Sequence, residues 1–191
     1  LPLHHMFGST ALLLFLSRGA TNVFCDGLRH IQENLKEYKV SVFVCVPLLL
    51  EGIYKKIMAQ VEKQGKIKLI KFARKLSGVL LKFGIDIRRK LFKQILDQLG
   101  GNIRFVVSGA AALDKEVSSA LNDFGILTVQ GYGLTETAPV ASAENEYTLR
   151  SGSIGHPLPG VEIEIDNPNE NGIGEIKIKG PNVMLGYYEM E

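Results

Sequence analysis

Cysteine is scarce in this chain, and long apolar runs are absent from it. The 191 residues include two cysteines, Cys25 and Cys45, whose spacing matches no metal-binding motif. Each lies in an apolar, strand-like stretch, so we predict free thiols in the core, as in a reducing cytosol; the alternative is a disulfide between neighbouring strands. The longest apolar run, Ala11 to Leu16, is far too short to cross a bilayer.

Net charge is also small, but the charges are unevenly placed. Between Tyr54 and Lys93 there are thirteen Lys/Arg and two acidic residues, a net charge of +11, and the remainder carries −9. Such a run is a solvated face, a peripheral membrane surface or a nucleic-acid surface. Basic and apolar residues interleave from Lys66 to Phe83, which suits a helix lying on anionic lipid. No zinc motif or RNA-binding aromatic signature accompanies the charge, so we discard nucleic acid. We predict a cytoplasmic protein, with peripheral contact at the inner face of the membrane as a further option.

The apolar patterns predict alternating strands and helices, with hydrophobic residues at 46%, enough for a sizeable core. The predicted strands are 20–25, 40–46, 103–107 and 126–129, and the predicted helices are 9–17, 28–38, 47–63, 66–83, 87–99 and 114–124. This order is typical of a mainly parallel α/β sheet flanked by helices. Beyond Pro157, strict alternation at 161–166 and 176–179 predicts antiparallel β structure. We therefore divide the chain into an α/β unit, 1–157, and an antiparallel β subdomain, 158–191.

The segment from Gln130 to Thr137, with the sequence QGYGLTET, carries most of the chemical information. An aromatic face can stack on a base, glycines allow close backbone approach, and a hydroxyl can donate to a phosphate oxygen. A carboxylate can hold Mg²⁺, which prefers one or two carboxylates plus substrate phosphates. The structural alternative is a glycine-bracketed turn with Thr135 as the N-cap of a helix. Spacing alone leaves both interpretations open.

Two of the predicted loops follow strands directly. Residues 108–113 come after one strand and residues 131–137 after the next. Ligands of parallel α/β sheets bind beyond the carboxyl ends of strands. One nucleotide could therefore contact both loops.

The segment 130–137 resembles the core signature of the adenylate-forming superfamily, which includes acyl-CoA synthetases and adenylation domains. Four further segments resemble motifs of that family in the family's order: LPLHHMFG at 1–8, VSGAAAL at 107–113, GSIGHPLPG at 152–160, and the stretch from Gly174 to Tyr188. In the second, Ala110 and Ala112 replace a glycine and a proline of the family pattern. The resemblance extends over essentially the whole chain.

The resemblance implies roles for individual residues. Tyr132 would be the adenine platform, and Gly109, Ala110 and Ala111 the adenine-side backbone contacts. Thr135 and Glu136 would be the catalytic pair, with Thr135 on a phosphate and Glu136 as the Mg²⁺ ligand. The backbone of the nucleotide loop would come from Gly131 and Gly133, and the acyl pocket would be lined by His4, His5 and Gly131. A metal shared by His4 and His5 is not expected, because adjacent side chains of an extended segment point to opposite faces.

The implied activity is the ATP- and Mg²⁺-dependent conversion of a fatty acid to an acyl-adenylate, followed by transfer to coenzyme A. The basic helical stretch and residues 1–8 resemble the long-chain group. The family's phosphate loop, ribose-binding aspartate and catalytic lysine are not found here, so we expect part of a longer enzyme that is inactive alone. The alternatives are an adenylation enzyme that loads a carrier protein and a non-catalytic module that binds nucleotide or a lipid surface.

Overall fold

The computed structural model describes residues 1–189 and shows a five-stranded sheet flanked by helices, with a separate two-stranded sheet. The helices are α1 (Met6–Ser17), α2 (Ile31–Glu37), α3 (Pro47–Lys63), α4 (Ile67–Lys82), α5 (Arg88–Leu91), α6 (Lys93–Gln98) and α7 (Lys115–Asp123). The strands are β1 (Val42–Cys45), β2 (Phe105–Ser108), β3 (Leu127–Tyr132), β4 (Ser142–Ala143), β5 (His156–Pro157), β6 (Glu162–Asp166) and β7 (Glu175–Lys179).

The strand order of the larger sheet is β1-β2-β3-β4-β5. The first three strands are parallel, with Val44 beside Val107 and Val107 beside Val129. The short strand β4 is added antiparallel to β3, and β5 is added antiparallel to β4. The predicted fold class, a mainly parallel sheet flanked by helices and followed by an antiparallel β piece, is confirmed.

The core lies between the sheet and the helices that follow β1 and β2. Pro47 begins α3 at a position where its missing N–H costs nothing, and Asp114 caps α7 by accepting from the backbone N–H groups of Glu116 and Val117. The single helix predicted at 87–99 is instead two short helices that meet at Phe92. The buried ring of Phe92 packs against Phe124 of the loop after α7, with 4.8 Å between ring centroids.

Three local predictions are wrong. Residues 20–25 form no strand, and Phe24 is 66% exposed. Both cysteines are free, as predicted, but only Cys45 lies in the core, because Cys25 is exposed. A strand requires a partner for its backbone groups, and apolar composition alone supplies none. Helix α1 begins at Met6 after His5, so the start predicted at residue 9 is three residues too late. Strand β1 is shorter than the predicted 40–46 and forms an edge of the described sheet, where its Val42 is exposed.

The β6–β7 hairpin pairs Ile163 with Ile178 and Ile165 with Ile176, as the alternating pattern predicted. Its division from the rest of the chain at residue 157 stays a prediction, and the last two residues of the proposed 158–191 unit lie outside the described residues. Among the helices of residues 1–189, none combines the length and apolar character that a bilayer crossing requires.

Candidate functional site

The ends of β2 and β3 bring the two predicted loops together. Ser108 lies beside Gln130 in the parallel register, so Gly109, the first residue after β2, lies next to Gly131, which is still part of β3. A Cβ atom built on Gly109 would lie 3.7 Å from the carbonyl oxygen of Gly131. The predicted proximity of residues 108–113 and 131–137 at the carboxyl edge of the sheet is confirmed.

The loop after β3 is tightly folded. A Cβ atom on Gly133 would overlap the carbonyl oxygen of Pro139, so the backbone closes back on itself at a distance that only glycine allows. Residues Thr135–Thr137 form one turn of 3₁₀-helix. The backbone N–H of Leu134 donates to the Thr137 hydroxyl at 2.8 Å, and that hydroxyl donates to the Leu134 carbonyl.

This arrangement assigns the capping position to Leu134, so the alternative interpretation of Thr135 as N-cap is wrong. The exposed Thr135 lies in the first position of the turn. The Thr135 hydroxyl accepts no capping hydrogen bond. The hydroxyl that accepts from the Leu134 N–H is that of the buried Thr137. Thr135 is therefore available to a ligand at the site.

Glu136 is held by the segment that follows β7. The hydroxyl of Tyr187 donates to Glu136 Oε1 at 2.5 Å, and the backbone N–H of Met184 donates to the Glu136 carbonyl at 2.9 Å. The Tyr187 hydrogen bond, with a smaller contribution from a backbone donor, lowers the pKa of the Glu136 carboxyl below its ordinary value. The same hydrogen bond raises the pKa of Tyr187. Glu136 is therefore ionised at neutral pH.

Asn182 also joins this segment to the loop. Its side-chain amide donates to the carbonyls of Thr137, at 3.1 Å, and Val140, at 2.9 Å. Sequence reasoning missed this role, although Asn182 lies within a segment that it singled out. The only available signal was an isolated amide in a turn, which does not reveal its distant partners.

The loop after β2 adopts a conformation that alanine disfavours. Ala110 has a φ of 71°, in the left-handed region. The family motif that this loop resembles has glycine at the same position. Ala110 and Ala111 are exposed, whereas Gly109 is buried. The far end of the loop is fixed by Gln130, whose side-chain oxygen accepts from the Leu113 N–H at 2.9 Å.

Gln130 and Glu144 form a buried support beneath the two loops. The Gln130 backbone N–H donates to Glu144 Oε2, and the Arg150 N–H donates to Glu144 Oε1, both at 2.9 Å. The Gln130 side chain also donates to the Ser153 carbonyl at 3.3 Å. Sequence reasoning missed both as positioning residues, because a single polar residue in a strand does not show which backbone groups it will satisfy.

The first eight residues reach this site through Phe7. A Cβ atom on Gly109 would lie 3.2 Å from two atoms of the Phe7 ring, so the ring packs on the start of the β2 loop. His4 and His5 are exposed and lie in a turn closed by the His5 N–H donating to the Pro2 carbonyl. Their rings are 5.2 Å apart, so the predicted extended segment with opposed side chains is wrong. Tyr132 lies half-buried at the end of β3, opposite Ser142.

Comparison with known proteins decides the family. The family model described as AMP-binding enzyme matches residues 1–188. The chain belongs to the AMP-binding enzymes.

Relatives of this AMP-binding chain include long-chain ligases. It is 31% identical to rat long-chain-fatty-acid–CoA ligase 6 over 100% of this chain and 29% of that protein, and 34% identical to Arabidopsis thaliana long chain acyl-CoA synthetase 3 over 100% and 32%. It is 25% identical to an Arabidopsis long-chain-fatty-acid–[acyl-carrier-protein] ligase over 99% and 32%. The chain therefore spans about a third of the length of these relatives.

Solved structures share the fold. The anthranilate CoA ligase AuaEII in complex with anthranoyl-AMP superposes with a TM-score of 0.67 at 17% identity, over 98% of this chain and 32% of that one. The Bacillus subtilis o-succinylbenzoate CoA synthetase in complex with ATP and magnesium gives 0.62 at 21% identity, over 100% and 34%. These neighbours support the α/β architecture assigned to this AMP-binding enzyme.

The residues present suit a magnesium ion held jointly with nucleotide phosphates. Glu136 supplies one ionised carboxylate at the edge of the site, and Mg²⁺ is commonly held by one or two carboxylates together with phosphate oxygens and water. Residues 1–189 contain no group of three His, Cys, Asp or Glu side chains placed to hold a metal by themselves. The donor set fits a metal carried in with a nucleotide.

Proposed function

We propose that the complete protein activates a long-chain fatty acid as an acyl-adenylate with ATP and then transfers the acyl group to coenzyme A. The observation that carries this proposal is the loop Thr135–Thr137, which presents a free hydroxyl and an ionised carboxylate beyond the carboxyl end of β3, a strand in which Gly131 lies beside Gly109. This is where a parallel α/β sheet binds its ligand.

Tyr132 and the β2 loop form the proposed adenine site. The half-buried ring of Tyr132 would provide the stacking face, and Gly109, Ala110 and Ala111 would provide backbone groups at the purine edge. The backbone of Gly131 and Gly133 is assigned to the nucleotide site, as the family resemblance of their segment implies.

Thr135 and Glu136 would act on the phosphates. The Thr135 hydroxyl would donate to a phosphate oxygen, and Glu136 would hold Mg²⁺, which when bound neutralises phosphate charge. In the first reaction a carboxylate oxygen of the acid bonds to the α-phosphorus while the bond to the β-phosphate oxygen breaks and pyrophosphate leaves. In the second, the coenzyme A sulfur attacks the acyl carbon, AMP leaves and the thiol proton is released. The residues contribute by aligning the reactants and stabilising charge.

The acyl group would lie near the amino-terminal turn. His4, His5 and Gly131 are the proposed lining, and Phe7, from the same amino-terminal segment as the two histidines, packs on Gly109 of the β2 loop. Long-chain ligases 31% and 34% identical over the whole chain support a long-chain acid. The carrier-protein ligase among the relatives makes a carrier protein the second candidate acceptor.

The test is fatty-acid-dependent exchange of pyrophosphate into ATP by the complete native protein, across a series of chain lengths. We expect exchange that is greatest with long chains and requires Mg²⁺. Glu136→Gln should lower the exchange rate by about 100-fold or more, because it removes a charged ligand from the phosphate site. The control Glu146→Gln changes an exposed carboxylate on another loop and should leave the rate unchanged. Exchange with short, aryl or amino acids alone would overturn the long-chain assignment, and no exchange with any acid would favour a non-catalytic binding module.

The acceptor is assigned by a second assay on the adenylate formed. Release of AMP on addition of coenzyme A, with a thioester product, would support the ligase. Release only with a phosphopantetheine-bearing carrier protein would support the second candidate.

A further inference from the structure

Helix α4 exposes an apolar stripe bordered by lysines. The exposed apolar side chains recur at steps of three and four residues and therefore lie on one face of the helix and its C-terminal end: Leu69, Phe72, Leu76, Val79 and Phe83. Phe72 is 62% exposed and Phe83 is 77% exposed. A stripe of this length on one helix marks an interaction surface.

The lysines run beside this stripe. Lys68, Lys71, Lys75 and Lys82 each precede one of its apolar residues and are exposed. Within residues 1–189 none of the four forms an ion pair. Helix α4 contains no Asp or Glu, so no acidic side chain of the helix offsets this charge.

The opposite face of α4 fixes its orientation. Ala73 and Ser77 are buried, and the helix packs on α3 and α7. Arg74 donates to Asp123 Oδ2 at 2.7 Å and forms an ion pair with Glu116. Glu116 and Asp123 both belong to α7. The prediction of a continuous basic surface from Lys66 to Phe83 is therefore wrong at Arg74, whose side chain points into the fold.

Other basic residues of the 54–93 region are also used internally. Arg88 pairs with Asp86 at 2.7 Å, and Arg89 donates to the carbonyls of Gly101, Ile103 and Gly125. The arginines therefore stabilise the fold. The free charge beside the apolar stripe belongs to lysines, whose long stems can lie along an apolar surface while the ammonium groups reach polar headgroups.

We infer that this face of α4 binds the surface of an anionic lipid bilayer, with Leu69, Phe72, Leu76, Val79 and Phe83 inserted at the headgroup boundary and the four lysines on anionic headgroups. An apolar stripe flanked by cations is the pattern of a helix that lies in the membrane interface. A second copy of the same face would bring no negative charge to meet the lysines. The inference is independent of the proposed function.

The test is flotation of the complete native protein with vesicles of phosphatidylcholine alone or with about one-third phosphatidylglycerol. We expect binding that requires the anionic lipid and weakens with salt. Lys71→Gln/Lys75→Gln should lower partitioning by about 10- to 30-fold, given roughly 1 kcal/mol for each lysine near the surface. Lys36→Gln/Lys39→Gln removes two exposed lysines elsewhere and should have little effect.

A second pair of variants tests the apolar contact. Phe72→Ser should lower partitioning by about tenfold, whereas Tyr147→Ser, at an exposed aromatic residue of a distant loop, should not. Equal effects of the α4 and control variants, or binding to phosphatidylcholine alone at the same strength, would overturn the inference. No binding to anionic vesicles would also overturn it and would indicate that another part of the complete chain covers the face. Pyrophosphate exchange measured without vesicles should be unchanged in all four variants, which separates this test from that of the proposed function.

Discussion

The hydroxyl of Tyr187 donates to Glu136 Oε1 at 2.5 Å and thereby joins the segment after the β6–β7 hairpin to the proposed metal ligand. The Met184 N–H donates to the backbone carbonyl of the same glutamate. The carboxylate is therefore oriented before any metal or nucleotide arrives. Because the hydrogen bond favours the ionised form, it extends the pH range over which Glu136 carries charge.

Replacing Tyr187 should make activity more sensitive to acid. In Tyr187→Phe the pKa of Glu136 should rise towards its ordinary value, so the acid limb of the pH–rate profile should move to higher pH. A depressed carboxyl pKa stabilises the fold above the unfolded pKa, and this contribution is lost as pH falls through the folded pKa. Tyr188→Phe, at the adjacent exposed tyrosine, is the control. Identical acid limbs in the two variants would contradict the role assigned to the hydrogen bond.

Ala110→Gly should stabilise the protein. A non-glycine residue at φ 71° costs the folded state about 1–2 kcal/mol. Glycine also stabilises the unfolded state by about 0.4–1 kcal/mol, because it gives the unfolded chain more conformational entropy. The expected net gain in the free energy of unfolding is therefore about 0.5–1 kcal/mol. Urea unfolding of the complete protein measures this difference. Ala111→Gly, one residue along, should have the opposite sign, since Ala111 has no positive φ to relieve.

Two glycines of the same loop should differ in their tolerance of a methyl group. Gly133→Ala should destabilise the loop strongly, because its Cβ would overlap the Pro139 carbonyl oxygen. Gly131→Ala places its Cβ 3.6 Å from the Ser142 oxygen, an ordinary contact, and should keep the unfolding midpoint. A lower nucleotide or acid affinity in Gly131→Ala, with stability unchanged, would support its assignment to the ligand site.

The two cysteines should react very differently with alkylating reagents. Burial raises the pKa of Cys45 to about 12, so its thiol stays protonated at pH 8, whereas Cys25 is exposed. Peptide mapping after brief iodoacetamide treatment of the native protein should find Cys25 modified and Cys45 unmodified. Modification of Cys45 before denaturant is added would show that β1 opens in the native state.

Residues 1–191 produced alone should form no acyl-CoA. The phosphate loop, ribose-binding aspartate and catalytic lysine implied by the family resemblance are not among these residues. Thioester formation from fatty acid, ATP and coenzyme A, followed by mass spectrometry, measures this directly. A product above background would contradict the expectation.

The sequence alone predicted the elements whose signals are local. Helix α3 begins and ends where Pro47 and the apolar spacing predicted, and Asp114 marks the start of α7. The positions of the two loops at the carboxyl edge of the sheet were also predicted, because the order of strands, loops and helices along the chain determines them. The break at Phe92 was not predicted, and the ring on which Phe92 packs lies 32 residues away in the chain.

The supporting part of the site was beyond sequence reasoning for a related reason. Gln130, Glu144, Asn182 and Tyr187 act through hydrogen bonds to partners 6 to 51 residues distant. Their residue types are common in turns and strands and carry no spacing pattern. The false strand at 20–25 shows the converse, since apolar composition was present but no neighbouring strand was available to pair with it.

Under the proposed function, the contact of the Phe7 ring with Gly109 would restrict how the protein can change its substrate range. A smaller or larger side chain at position 7 would leave a void against the β2 loop or displace it, and that loop is the proposed adenine edge. Selection for a different acyl chain at the amino-terminal turn would therefore also alter nucleotide affinity. Variation in chain-length preference should be easier at His4 and His5, whose exposed side chains lie in the same amino-terminal turn.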